Sequence, residues 1–265
     1  MSERASRRGF LAHGAAGLTT LALAGCTGIA DAPWAVNLLG EVENLTRVAM
    51  RLFAGSHALA PEFTKADIAP VFRPNGTLNP NTNDYNIHAS QGFKDWIIPV
   101  GGLVENPLKL SLADIRKFPP RTQITRHDCV EGWSCIGEWT GAPLAAILAL
   151  AKPTPEARYV VFYCADPMGS EDVDAQGNLI LPPFYYESLD LLEATHPQTI
   201  LAYELNGKPL PVENGAPIRV RAERQLGYKM AKYVQRIDLV ASYDRIGGGK
   251  GGYWEDQGYQ WFGGI

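Results

Sequence analysis

The sequence predicts an α+β fold, with mixed sheets and short helices in a single domain. Three observations point there. Its 27 glycines, 19 prolines and 10% aromatic residues favour loops and short strands over a helical bundle. Apolar runs of strand length recur from residue 96 onward between turn signals, while the helix-like stretches stay short. No linker-like segment separates two halves of the mature chain. With 265 residues and 46% hydrophobic content there is enough material for a substantial core. The formal charge of -4 gives no electrostatic reason to expect nucleic acid as a partner.

Residues 1–30 read as an export signal. Ser6-Arg7-Arg8-Gly9-Phe10-Leu11 fits the twin-arginine pattern, and an uncharged Gly/Ala/Leu/Thr stretch follows to Gly25. The stretch ends in Leu23-Ala24-Gly25-Cys26, which has the form of a lipobox, so a lipid tether at Cys26 is one expectation. Ordinary cleavage after Ala22-Leu23-Ala24 is the other. No later segment reaches the roughly 18 consecutive apolar residues of a membrane-spanning helix. The twin-arginine route moves folded proteins, so a cofactor inserted before export is expected, and the periplasm is the expected location.

Residues 31–80 form a lead-in arm, with a helix over 38–55 where Leu38, Leu39, Val42, Leu45, Val48, Ala49 and Leu52 recur at helical spacing. Asn75-Gly76 and the Asn/Pro cluster at 79–83 mark turns. The main domain spans 81–245. Strands are expected at 96–104 and 121–130, a short helix at 111–117 capped by Ser111, and a helix over Pro143–Leu150. Further strands are expected at 159–164, 199–205, 217–222 and 233–241, with Asn206-Gly207 turning between the 199–205 and 217–222 strands. The glycine- and aromatic-rich tail, 246–265, reads as a loop folded over the surface.

Besides Cys26 there are three cysteines, Cys129, Cys135 and Cys164. Cys129 lies in Arg126-His127-Asp128-Cys129-Val130-Glu131-Gly132-Trp133-Ser134, where Arg126 or His127 could hold it as thiolate. Cys135 and Cys164 could pair after export or stay as buried thiols. A zinc site from His127 and the three thiols lacks any Cys-x-x-Cys pair, and a Cys129/His127 hydrolase lacks an orienting partner.

Cys129-Val130-Glu131-Gly132-Trp133-Ser134, with Trp139 and Gly141-Ala142-Pro143-Leu144, resembles the molybdenum-binding segment of the sulfite oxidase superfamily. The branch containing the periplasmic methionine-sulfoxide reductase catalytic subunit is the most similar. Asn206-Gly207-Lys208-Pro209-Leu210-Pro211, Asn214-Gly215-Ala216-Pro217-Ile218-Arg219 and Gly227-Tyr228-Lys229-Met230-Ala231-Lys232 resemble the pterin-clamping region of the same family, in the same order. The resemblance implies a sulfite oxidase-type fold and a molybdenum-molybdopterin cofactor with Cys129 as the single protein ligand to the metal. A soft thiolate suits that metal. Arg219 can grip the pterin phosphate through its fork, Lys232 can add a point charge, and Asn214 can both donate to and accept from the ring. By position in the family pattern, Asn86, His88, Cys164, Met230 and Ala231 are further cofactor contacts. Cys164 stands where relatives carry a small hydroxyl, and Cys135 with Gly137-Glu138 alters the wall beside the metal.

The implied reaction is two-electron oxygen-atom transfer on a small-molecule substrate, with sulfoxide-type reduction favoured. Arg126 would polarise the pocket, and Glu131 or Glu138 would carry protons. No Cys-x-x-Cys-His haem site occurs, so a separate haem-containing electron-transfer partner, membrane-bound, is expected. Oxidation of sulfite or another small molecule at the same centre is the alternative within the family, and a non-catalytic cofactor-binding subunit of a respiratory complex is the alternative outside catalysis.

Overall fold

The structure is a computed structural model that describes residues 42, 45–52, 55, 58–173, 176 and 178–265. The signal segment and Cys26 lie outside the described residues. The chain divides into two compact units, Met1–Phe53 and Ala54–Ile265. In the first, residues 45–52 are helical, within the 38–55 span that the periodicity predicts. The boundary falls inside the expected arm, so residues 54–80 belong to the same unit as the sheets.

That unit holds two five-stranded sheets. The first has β2 (Leu108–Ser111), β1 (Ile97–Gly102), β12 (Val234–Val240), β5 (Tyr159–Pro167) and β8 (Phe184–Asp190) side by side in that order. Within it only β1 and β12 run parallel. The second places β10 (Lys208–Pro209), β9 (Ile200–Leu205), β4 (Trp133–Pro143) and β3 (Arg121–Cys129) in sequence, with β11 (Arg219–Arg221) also on β9. A hairpin of β6 (Asp172–Val173) and β7 (Leu179–Ile180) stands apart. The short helices are α1 (Asn83–Ser90), α2 (Leu112–Ile115), α3 (Leu144–Ala151), α4 (Leu191–Ala194) and α5 (Tyr253–Asp256). This is the predicted α+β architecture.

Local chemistry explains most of the elements. Ser111 caps α2 through a reciprocal box with Asp114. In α3, Leu144, Ile147, Leu148 and Ala151 share one face at i, i+3, i+4 and i+7, and all are buried. They join the main core with Ile98, Val100, Phe162, Ile237 and Leu239 of the first sheet and Ala142, Leu201 and Val220 of the second. Each large apolar side chain removed from water there contributes about 1.5–3 kcal/mol. A smaller cluster, with Phe72, Cys135, Trp139 and Leu205, packs the second sheet.

Four features depart from the sequence reading. The Asn/Pro cluster leads into α1, capped by Thr82, whose hydroxyl accepts from the Tyr85 amide; only Tyr85 of its eight residues is buried, so no apolar stripe announces the helix. Strand β4 escapes prediction because its interior carries Gly137 and Gly141, which weaken a strand pattern. Gly141 is needed there, since a Cβ would come 2.3 Å from the Leu201 carbonyl oxygen. The Asn206-Gly207 turn, both residues at positive φ, joins β9 to the two-residue β10 instead of to the 217–222 strand. The tail is also more than a surface loop: α5 places Glu255, 1% exposed, against the buried Lys229.

Candidate active site

Cys129 is the last residue of β3 and pairs with Trp133 across a tight turn, closed by the Gly132 amide donating to the Cys129 carbonyl at 3.0 Å. Its thiol opens on a cavity of about 210 Å³ that is also lined by Glu131, Asp166, Met230, Lys232 and Trp254. Burial pushes the thiol up from its usual range and the Glu131 carboxylate adds to that, while Arg73 and Arg219 pull it down. Arg73 lies 5.1 Å over the Trp133 ring, and the Trp133 indole donates to Glu131 at 2.9 Å. Glu131 is exposed, so it stands between the cavity and water.

Behind the cavity positive charge is concentrated. Arg219 is fully buried; desolvation, then repulsion by Arg221, lowers it to about 9. Lys232 is brought down to about 7 by desolvation and then by Arg219, against the opposing pull of Asp166, Glu131 and Glu213. Arg219 donates to the carbonyls of Asn214 and Met230, and Lys232 to those of Asn75, Thr77 and Glu213. Both side chains thus donate only to neutral carbonyls, and neither is in direct contact with a carboxylate among the described residues. Trp139, 0% exposed, supports them with its ring 5.2 Å from the Arg219 guanidinium and 4.4 Å from that of Arg221.

His127 is a structural residue. It is fully buried, and desolvation followed by the charges of Arg221, Arg219 and Lys232 holds it well below its usual range, as the neutral ring. Arg221 donates to its Nδ1 at 2.8 Å, and the same guanidinium holds Glu223 with two bonds. Gly227 packs on the ring edge, where a Cβ would lie 2.4 Å from Nε2. His127 therefore does not hold Cys129 as thiolate.

The other expected residues are distributed unevenly. Cys129, Glu131, Met230 and Lys232 meet at the one cavity, with Asn214, Arg219 and Ala231 buried behind it. His88 and Cys164 line a larger, aromatic cavity of about 900 Å³, and Tyr185 lines both cavities. Asn86 is exposed and donates to Asn81. Arg126 is three residues from Cys129 on a strand, hence on its other face; it pairs with Asp128 and lines a separate recess with Glu223 and Arg224. Glu138 lies near Lys65, away from the cavity. Cys135 and Cys164 are free thiols in different sheets, so they do not form a disulfide.

Sequence comparison gives a matching answer. The oxidoreductase molybdopterin binding domain family matches residues 85–245. The chain belongs to this molybdopterin-binding family. A provisionally named protein-methionine-sulfoxide reductase subunit of Azospira oryzae is 41% identical over 63% of this chain and 55% of its own length. The protein-methionine-sulfoxide reductase catalytic subunit of Campylobacter jejuni is 40% identical over 58% of this chain and 52% of its own. This chain thus spans about half the length of these curated relatives. The sulfane dehydrogenase SoxCD of Paracoccus pantotrophus aligns with a TM-score of 0.46 and 24% identity over 56% of this chain and 39% of that one.

The cofactor of this family fits the residues present. Asn214 Nδ2 and Arg219 Nε are buried without a hydrogen-bond partner, and the cations Arg219 and Lys232 donate only to carbonyls. Those are the donors and the field that a phosphorylated pterin calls for. Among the described residues, no group of three or more His, Cys, Asp and Glu side chains could hold a metal ion.

Asp166, just beyond the strand expected at 159–164, was not anticipated from the sequence. It is 4% exposed in the Cys129 cavity, with one carboxylate oxygen unpartnered. Burial raises it from 3.8 to about 6, against hydrogen bonds from its own backbone and from Thr77 and the charge of Lys232. The folded state therefore holds this proton more tightly than the unfolded chain, and the stability it contributes near pH 4 is lost as pH rises through about 6. Asp166→Asn in the cofactor-free protein should gain on wild type by about 2–3 kcal/mol between pH 4 and pH 8. Denaturant melts at both pH values check this; a pH-independent difference would contradict it.

Proposed function

We propose that this protein is an exported molybdopterin-dependent oxidoreductase that reduces a sulfoxide-type substrate by two-electron oxygen-atom transfer. The supporting observation is the lone thiol of Cys129 in one cavity with Lys232, ahead of a buried excess of positive charge. The bound cofactor supplies two-electron oxygen-atom exchange at its metal. Cys129 is the protein ligand to that metal. Arg219 and Lys232 hold the phosphate, Asn214 meets the ring edge, and the backbone at Met230 and Ala231 completes the cradle. His88, Cys164 and Asn86 are further cofactor contacts by family position. Glu131, exposed at the mouth and hydrogen-bonded to Trp133, passes protons inward from water. The overall change is balanced: a sulfoxide, two electrons and two protons give a thioether and water.

The electrons come from a separate haem-containing protein at the membrane. Among the described residues no helix is long and apolar enough to cross a membrane. The Ser6–Leu11 pattern supports export to the periplasm, and Cys26 supports a lipid tether. The names of the two relatives favour reduction of methionine sulfoxide over oxidation of sulfite.

The test is a steady-state assay of the molybdenum-loaded protein with reduced viologen and sulfoxides, and separately with sulfite and ferricyanide. Turnover in the first assay alone is expected. Turnover only in the second would reverse the direction, and turnover in neither, with full molybdenum content, would leave a non-catalytic subunit.

A further inference from the structure

The Cys129 cavity is closed by residues that the family match does not include. Trp254 and Tyr259 come from the tail, beyond residue 245, and both line the cavity. Their rings stack at 5.3 Å and 28°, and Tyr259 meets Tyr228 edge-on at 5.4 Å. Tyr259 is 40% exposed, so this wall faces both the cavity and the solvent. Met168 adds a soft thioether to the same lining.

The wall is rigidly held. Glu255, next to Trp254, is bonded to the buried Lys229 at 2.5 Å. The Tyr228 hydroxyl donates to the Gln260 carbonyl at 2.7 Å, and the Leu226 amide to that of Gly263 at 2.7 Å. Asp256, on the same helical turn, accepts from the Tyr186 hydroxyl at 2.6 Å and the Gly248 amide at 2.7 Å. A wall fixed at this many points presents a set shape to whatever enters.

We infer that Trp254 and Tyr259 are specificity-determining residues that select a neutral organic sulfoxide, by taking its sulfur and alkyl groups against their rings. The inference rests on the reaction proposed above and names its substrate class. Aromatic faces attract the positively polarised sulfur of a sulfoxide and the hydrogens of its carbon substituents. The same surface disfavours sulfite, a hydrated anion that would lose water against apolar rings while facing Glu131 and Asp166. Lys232, the cation in the cavity lining, already donates to three backbone carbonyls and leaves that anion no free donor.

The experiment compares wild type, Trp254→Ala, Trp254→Phe and Tyr259→Ala, all loaded with molybdenum, using methionine sulfoxide and dimethyl sulfoxide with reduced viologen. Each alanine variant should raise KM about tenfold with kcat within about threefold, and Trp254→Phe should stay within about threefold of wild type in both. Molybdenum content and the Mo(V) spin-resonance spectrum should not change. An unmoved KM in both alanine variants would overturn the inference, as would a loss of turnover that only tracks lost molybdenum in both. If wild type fails to turn sulfoxides over, tryptophan quenching by dimethyl sulfoxide decides the matter. Saturable quenching that weakens in Trp254→Ala would keep the wall and reject only the proposed reaction; no quenching would reject both.

Discussion

Cys129→Ser should keep the fold and most of the pterin but lose turnover by more than about a hundredfold, since disturbing even the outer partners of a metal ligand costs 10–100-fold. The expectation follows from where the binding groups sit. Arg219, Asn214 and Lys232, the groups proposed to grip the organic part of the cofactor, lie on elements other than β3, so removing one sulfur leaves them in place. Cys129 itself ends a strand, only partly buried, and its side chain supports no core cluster. A hydroxyl is a harder and weaker donor than a thiolate, so the electronic environment of the metal must change even where the metal stays. The measurements are molybdenum content, released fluorescent pterin, the Mo(V) spin-resonance spectrum and viologen-coupled turnover. Content near wild type with an altered spectrum is the expected pattern. An unaltered spectrum would show that the metal takes its protein ligand elsewhere.

Legibility in the sequence followed the range of the interactions. That Cys129, Met230 and Lys232 share one cavity was foreshadowed by two short motifs, within each of which residues close in sequence stay close in space. Strands were readable where apolar residues run together, as in β5, or recur between polar ones, as in β12. Three things depend on distant partners and were not readable. Strand β4 keeps Gly141 because β9 passes beside it, 60 residues later in the chain at Leu201, and that glycine weakened the pattern that would have identified the strand. Arg221 reads as an ordinary strand residue until His127, 94 positions away, is placed against it. Asp166 belongs to no motif, and only burial, opposed in part by the charge of Lys232, gives it a perturbed proton. The placement of Arg126 has a different cause: in the nine-residue segment Arg126–Ser134 it looks close to Cys129, but the two-residue period of a strand sends it to the far face.

Lys229→Met should destabilise the protein by about 3–5 kcal/mol, because it leaves buried carboxyl groups without their partner. Lys229 is 1% exposed and its ammonium lies 2.5 Å from both Glu187 and Glu255, which are themselves 0% and 1% exposed. The site is finely balanced even in wild type. Each carboxylate has one oxygen without a partner, and Glu187 is held well above its ordinary range by burial and by Glu255 despite the lysine. Removing the ammonium leaves two buried acids facing each other, which fold only if both carry protons. Unfolded glutamates release those protons near pH 4.3, so in the variant stability must fall as pH rises above that value. The cost should therefore be small near pH 4 and approach its full size by pH 8. Adding Glu255→Gln to Lys229→Met removes one acid and should recover about 1–2 kcal/mol at pH 8, a non-additivity that identifies the three groups as one unit. Urea melts at both pH values give the free energies, and limited proteolysis after residue 245 gives the location of the damage. Lys229 belongs to the segment that carries Met230 and Lys232, while Glu255 belongs to the tail that carries Trp254, so the ion group fastens one side of the Cys129 cavity to its aromatic wall. The tail should become cleavable in Lys229→Met before the sheets unfold. A uniform loss of stability with an intact tail would mean that the buried charges serve the core and not the cavity.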